Sequence, residues 1–389
     1  MRALTFIFAL ILLVTQCVTV AATEEYCLEA GEVIFDTSSS CDAVPTIRRV
    51  YGAKRFMWKG VDCFAVSTGN EIDIYNVTDP KHPVLFERSN FRMGNVGDED
   101  TGLYNFSFCD DCRYAVANYS RGSVFVDLGT KAIPEFNLFS KDVSANLIHG
   151  SFVFKNGSQL YLVAEHSNCV YSGLHRYNNE DDREFVECID VPGQVPRVVH
   201  GEHIDEALYL ADSTKRVFLF NDELDYISTP CIAYSITDSG MSFDGDTAAV
   251  ANNTGLHIFN VSDSLAPVEV GSVPGNWDRS SINGDKVIVA KMGVKYSERT
   301  FDISTLDDII EMDAQFWSST HPWNFPPPAQ GDECTSIQAV HFIDESTIYL
   351  LRESRLQIIN VIDCPVTDDI FFSNFETGDT SEWSNTVAN

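Results

Sequence analysis

GNEIDIYNVTDPKHPVLF, residues 69–86, returns in worn form as GLHIFNVSDSLAPVEVGSV at residues 255–273. Each copy holds two apolar runs separated by a polar turn, so the chain is built from a repeated unit. A shorter run upstream of the first is easier to count. It occurs as FAVS (64–67), YAVA (114–117), YLVA (161–164), LYLA (208–211), AAVA (248–251), VIVA (287–290) and IYLL (348–351). Polar turns such as CDDC, KNGS, DGD, NGD and DES precede most of these. A second run follows each of them, from IDIYNV (72–77) through VFVDLG, GLHRYN, VFLFND, LHIFNV and RTFDIS to LQIINV (356–361).

Short runs rich in Val, Ile, Tyr and Phe and bounded by Gly, Asn and Asp read as strands, because branched and aromatic side chains pack well on a pleated surface. No long helical periodicity competes. The seven starts fall mostly at the period of roughly 40 to 50 residues that marks propeller blades, each a four-stranded sheet unable to bury both faces alone. The sequence therefore predicts an all-β, seven-bladed β-propeller over residues 23–365. A long β-sandwich is the competing architecture, and a β-helix has repeats that are too short.

Residues 1–22 have the form of a secretory signal: Arg2, an apolar segment from Leu4 to Val14, and Val20-Ala21-Ala22 before an acidic stretch. The segment is too short for a membrane span, and no later stretch is long and apolar enough for one, so the mature chain is expected to lack a transmembrane span. The expected location is secreted, extracellular or attached to the cell surface. The segment before Cys17, LVTQ, is no lipid-attachment box.

With 57 acidic against 26 basic residues the net charge is −31. Such a surface repels nucleic acid and anionic lipid, and it favours a soluble monomer. Of the 11 cysteines, Cys17 leaves with the signal, and the even remainder suggests up to five disulfides. Cys109 and Cys112 flank an Asp-Asp turn and can bridge within it, while Cys169 and Cys188 can join neighbouring strands. A redox role for Cys-x-x-Cys is disfavoured by Asp110 and Asp111, which would raise a thiol pKa. The strand-like EVIF (32–35) is expected to lie against the last unit and close the ring, with Cys364 tied to Cys27 or Cys41, because an open ring would leave two unpaired sheet edges.

No motif names a reaction. His200-Gly201-Glu202-His203 is one residue short of the helical zinc pattern and is read as preceding a strand. His149, His200 and His341 each precede an apolar run and are the candidate metal ligands, though they do not share one register. Trp317, His321 and Trp323, in a Pro-rich stretch before IYLL, are candidate ligand-binding residues on one face of the disc, and plugging the channel mouth is their alternative role. Acidic loops at 97–100 and 178–182 lack the spacing of a calcium loop. There is no Gly-x-Ser-x-Gly elbow and no phosphate-binding loop. The expected function is a secreted, non-catalytic scaffold that binds protein or polysaccharide and needs no cofactor beyond a structural calcium ion. The alternative is a calcium-dependent, lactonase-like propeller hydrolase with its site at the central channel.

The two clear repeats resemble the LVIVD repeat: a Gly-led apolar strand, then Asn-Val-Thr/Ser-Asp-Pro, with a second Pro three residues on. Ser264 stands where the first copy has Pro80. The resemblance implies a surface-exposed or extracellular propeller of bacteria or archaea with no assigned catalytic residues. Residues 366–389 form a separate tail whose FETGDTSEWS resembles an FExGDxSxWS sequence at the ends of secreted Gram-negative proteins. In that setting the sequons at Asn76, Asn105, Asn118, Asn156, Asn252 and Asn260 are incidental; in a eukaryotic secreted protein they would be glycan sites.

Overall fold

A computed structural model describes residues 26–36, 52–67, 71–89, 103–119, 122–142, 152–165, 168–170, 172–179, 182–193, 198–212, 216–229, 240–291, 298–305, 309–312, 315–316, 337–352 and 355–363. These residues form seven antiparallel sheets and no helix, arranged as a seven-bladed β-propeller. The first blade runs outward from the channel through Ala53–Trp58, Val61–Ser67, Ile72–Asn76 and Val84–Arg88. The inner strands of the next five blades are Leu103–Ser107, Phe152–Asn156, Val198–Ile204, Met241–Asp244 and Arg279–Asn283. Inner strands of neighbouring blades lie against one another along the first to fourth blades and along the fifth to seventh.

The counted runs are equivalent strands. FAVS, YAVA, YLVA, LYLA, AAVA, VIVA and IYLL are the second strand of their blades, and the downstream runs are the third. Both faces of a second strand are covered by neighbouring blades, which is why these runs are apolar without alternation. Phe64 and Val66 pack toward the seventh blade, and Cys63 and Ala65 toward the second. Seven such wedges, one between each pair of adjacent blades, make up the core among the described residues.

The seventh blade joins both ends of the chain. Ile337–Asp344, Thr347–Arg352 and Arg355–Asp363 are followed outward by Tyr26–Asp36, antiparallel to Arg355–Asp363, with Leu28 opposite Val361 and Ala30 opposite Ile359. The expected closure by the EVIF region is thus present. Gln315–Phe316 pairs in parallel with Cys27 and Leu28 beyond it.

The Asn-Val-Thr/Ser-Asp motif is a turn between third and fourth strands, and its bonds explain its composition. The Asn76 side-chain oxygen accepts from Thr78 N (2.9 Å) and Asp79 from Lys81 N (3.2 Å), while Val77 N donates to Asp62 O (2.8 Å). In the second copy Asn260 accepts from Ser262 N (2.9 Å), Asp263 from Leu265 N (3.2 Å), and Val261 N donates to Asp246 O (2.8 Å). Short polar side chains that bond their own backbone two residues on hold such turns.

The same turn is latched to the preceding blade. Tyr349 of the seventh blade donates its hydroxyl to Pro80 O at 2.8 Å, and Tyr209 of the fourth donates to Ser264 O at 2.7 Å. Pro80 and Ser264 are equivalent positions. Because the acceptor is a main-chain carbonyl, Ser264 serves as well as proline. In the second blade the equivalent carbonyl, of Lys131, accepts from the Trp58 indole at 3.1 Å. Both tyrosines are almost fully buried. Tyr349→Phe and Tyr209→Phe should each destabilise the protein by about 1 to 3 kcal/mol, since a buried carbonyl loses its donor, and urea unfolding would measure it.

Cys109 and Cys112 are bonded to each other, as are Cys169 and Cys188. Cys63 is free and buried in the wedge between the first two blades, where it packs as a small apolar side chain. With Cys63 free, the upper figure of five disulfides that the even count allowed is not reached. The side chain of Cys27, together with Cys41 and Cys364, lies outside the described residues.

Candidate functional site in the central channel

The inner strands enclose a cavity of about 490 Å³ lined by residues from all seven blades. Lys54 of the first blade and Glu202 of the fourth form an ion pair across it, with side chains 27 % and 18 % exposed. Arg55, next along the first inner strand, is held instead by Asp62 of its own blade, Nε to Oδ1 at 3.0 Å. Lys155 of the third blade donates to the main-chain carbonyls of Asp111 (2.7 Å) and Asp110 (3.3 Å). The Asp110 carboxylate accepts from Met57 N (2.7 Å), which ties the Cys109–Cys112 turn to the first blade.

His341 sits in the middle of the seventh inner strand and lines the cavity, and its Nε2 is shut off from solvent with no hydrogen-bond partner among the described residues. Burial, then the charges of Lys54, Arg279 and Arg55, push its imidazole down to about 3, so the ring is neutral at physiological pH. The channel serines are bonded elsewhere. Ser280 donates to Gly240 O (3.2 Å) and Ala249 O (3.1 Å), Ser281 accepts from Phe342 N (2.8 Å), and Ser242 reaches Ser280 at 3.4 Å.

His200 and His203 lie on the inner strand Val198–Ile204 itself, not before a strand as the sequence suggested. His203 Nε2 is 2.9 Å from Asp222 Oδ1, and its ring stacks on Phe154. Of the three candidate metal histidines only His341 has a described side chain; that of His200, and all of His149, fall outside. Trp317, His321 and Trp323 also lie outside the described residues. Among the described residues no three His, Cys, Asp or Glu side chains converge on one point.

The channel pairing was hidden in the sequence because its partners are 148 positions apart and the inner strands mix polar and apolar residues in no shared pattern, as AKRFMW, FVFKN and RSSIN show. A second buried ionisable group, Glu298, precedes the third strand of the sixth blade. Burial pushes its carboxyl up to about 7 against its own backbone hydrogen bond and the charges of Arg352 and Arg299, and Oε1 has no hydrogen-bond partner among the described residues. A carboxyl raised in the folded state gives stability that is complete below its unfolded value of about 4.5 and is lost as pH rises through about 7. His341 has the opposite sign: its contribution is complete above about 6.5 and is lost as pH falls toward 3. Glu298→Gln should therefore raise the melting temperature at pH 8 and leave it nearly unchanged at pH 4.5, a difference that paired thermal melts would record.

Solved structures share this architecture. A chain of the "Crystal Structure of Mitotic Checkpoint Complex" superposes with a TM-score of 0.54 at 9% identity, over 88% of this chain and 94% of that one. The "Streptogramin B lyase structure" superposes with a TM-score of 0.53 at 10% identity, over 88% and 99%. Identities this low establish the fold alone. No protein-family model and no characterised protein matches the sequence. Among the described residues no helix is long and apolar enough to cross a membrane.

Proposed function

We propose that this protein is a secreted, non-catalytic β-propeller scaffold of the LVIVD type, a monomer that binds protein or polysaccharide through one face of the disc outside the cell or at its surface. The observation that carries the reading is the state of the channel's reactive groups. Lys54 and Glu202 are paired with each other, the serine hydroxyls are bonded to backbone or to one another, and His203 is paired with Asp222. Among these contacts no serine is bonded to a histidine, the pairing that would activate a hydroxyl as a nucleophile, which favours binding over hydrolysis. The signal-like residues 1–22, the acidic composition and the two disulfides support an oxidising, extracellular setting. The matching turns at Asn76 and Asn260 support the LVIVD likeness.

Retention of the full chain on immobilised acidic and neutral polysaccharides and on surface proteins, with parallel assays for ester and lactone hydrolysis, tests the reading. Retention without turnover is expected. Turnover, or calcium at one ion per chain whose chelation sharply lowers the melting temperature, would replace it with the hydrolase reading.

A further inference from the structure

The channel wall is far less acidic than the molecule as a whole. In a chain with 57 acidic and 26 basic residues, the cavity is lined by Lys54, Arg55 and Lys155 with Glu202 and Asp110, and Arg55 is neutralised by Asp62. Among the described residues Lys155 donates to main-chain carbonyls and to no carboxylate, and the Asp110 carboxylate is occupied by Met57 N. Lys54 has Glu202 as its counter-charge. The volume of about 490 Å³ suits a small molecule rather than a single water.

We infer that the channel is a binding site for a small organic anion, one carboxylate or sulfate group received by Lys155 and Lys54. This site is separate from the face-binding reading above, since it uses only inner-strand residues. Glu202 acts as the resident counter-charge, and an entering anion competes with it for Lys54. The wall lysines also favour an anion here over the acidic exterior, an effect strongest at low ionic strength.

Isothermal titration of the full chain at low salt with sodium glucuronate, sodium sulfate and neutral glucose tests this. Glucuronate and sulfate should bind at one site, and glucose should not. E202Q should tighten binding about tenfold by freeing Lys54, and K155M should weaken it about tenfold. K54M should abolish binding, and if that variant does not fold, E202Q and K155M still decide. Absence of saturable anion binding, equal binding of glucose, or affinities unchanged in both E202Q and K155M would overturn the inference. A glucuronate tetramer that binds more tightly than the monomer, and loses affinity in K155M, would identify an acidic polysaccharide as the source of the group; equal affinities would identify a free acid. Polysaccharide retention that survives K155M belongs to the disc face and not to this site.

Discussion

A chain lacking residues 1–36 should lose its cooperative thermal transition and aggregate. Tyr26–Asp36 is the outermost full-length strand of the seventh blade, paired along Arg355–Asp363, and Leu28 is buried in the wedge between the sixth and seventh blades. Without it, a long apolar strand becomes an open edge, the arrangement most prone to pair with another chain. The lost pairing and burial are on the order of 5 kcal/mol or more, comparable with the whole stability of a typical domain. Leu28→Ala should cost about 2 to 5 kcal/mol by the cavity it leaves, so truncation and point variant together grade the effect. A synthetic peptide spanning 26–36 should restore part of the melting temperature of the truncated chain by adding back the strand. A truncated chain that melts at the full-length temperature would mean the ring is held closed by other contacts.

The second large effect is expected at Gly255, the residue that leads the second clear repeat. A Cβ there would lie 2.1 Å from Val273 O and 3.0 Å from its carbonyl carbon, where neighbouring backbone cannot yield. The residue also adopts a φ of +159°, at the margin of what side-chain-bearing residues tolerate. Gly255→Ala should cost roughly 3 kcal/mol or more, by strain and displacement of the outer strand Val268–Pro274. Gly60 provides the comparison. Its φ is +78° but nothing lies within 4 Å of its Cβ position, so Gly60→Ala should cost only the local backbone penalty of about 1 to 2 kcal/mol. Chemical denaturation of the two variants side by side measures the difference, and equal losses would show that the close approach at Gly255 is relieved by a small shift.

The charged pairs at the blade ends are a quieter source of order. Asp73, fully buried, is held by Arg88 through two bonds of 2.6 Å, and Asp212 by Arg216 at 2.6 and 3.1 Å. Each arginine is partly exposed, so its head stays hydrated while it neutralises the carboxylate. Such pairs fix geometry more than they add net stability.

Local pattern alone determined the number of blades, the second and third strands of each, the turn built on Asn76 and Asn260, and the closing role of the EVIF segment. These are legible because a strand covered on both faces needs an unbroken apolar run, and because a turn of this kind needs Asn or Asp at set positions. Only the tertiary structure decided the rest. The inner strands face a polar cavity on one side and so carry no simple signature, the tyrosine latches join residues as far apart as Tyr349 and Pro80, and Lys54 meets Glu202 only when the ring brings the first and fourth blades face to face. Cys63 shows the same limit from the other side: an even count of cysteines allows it a partner, whereas packing seals it inside a wedge where it is the only cysteine among the described residues.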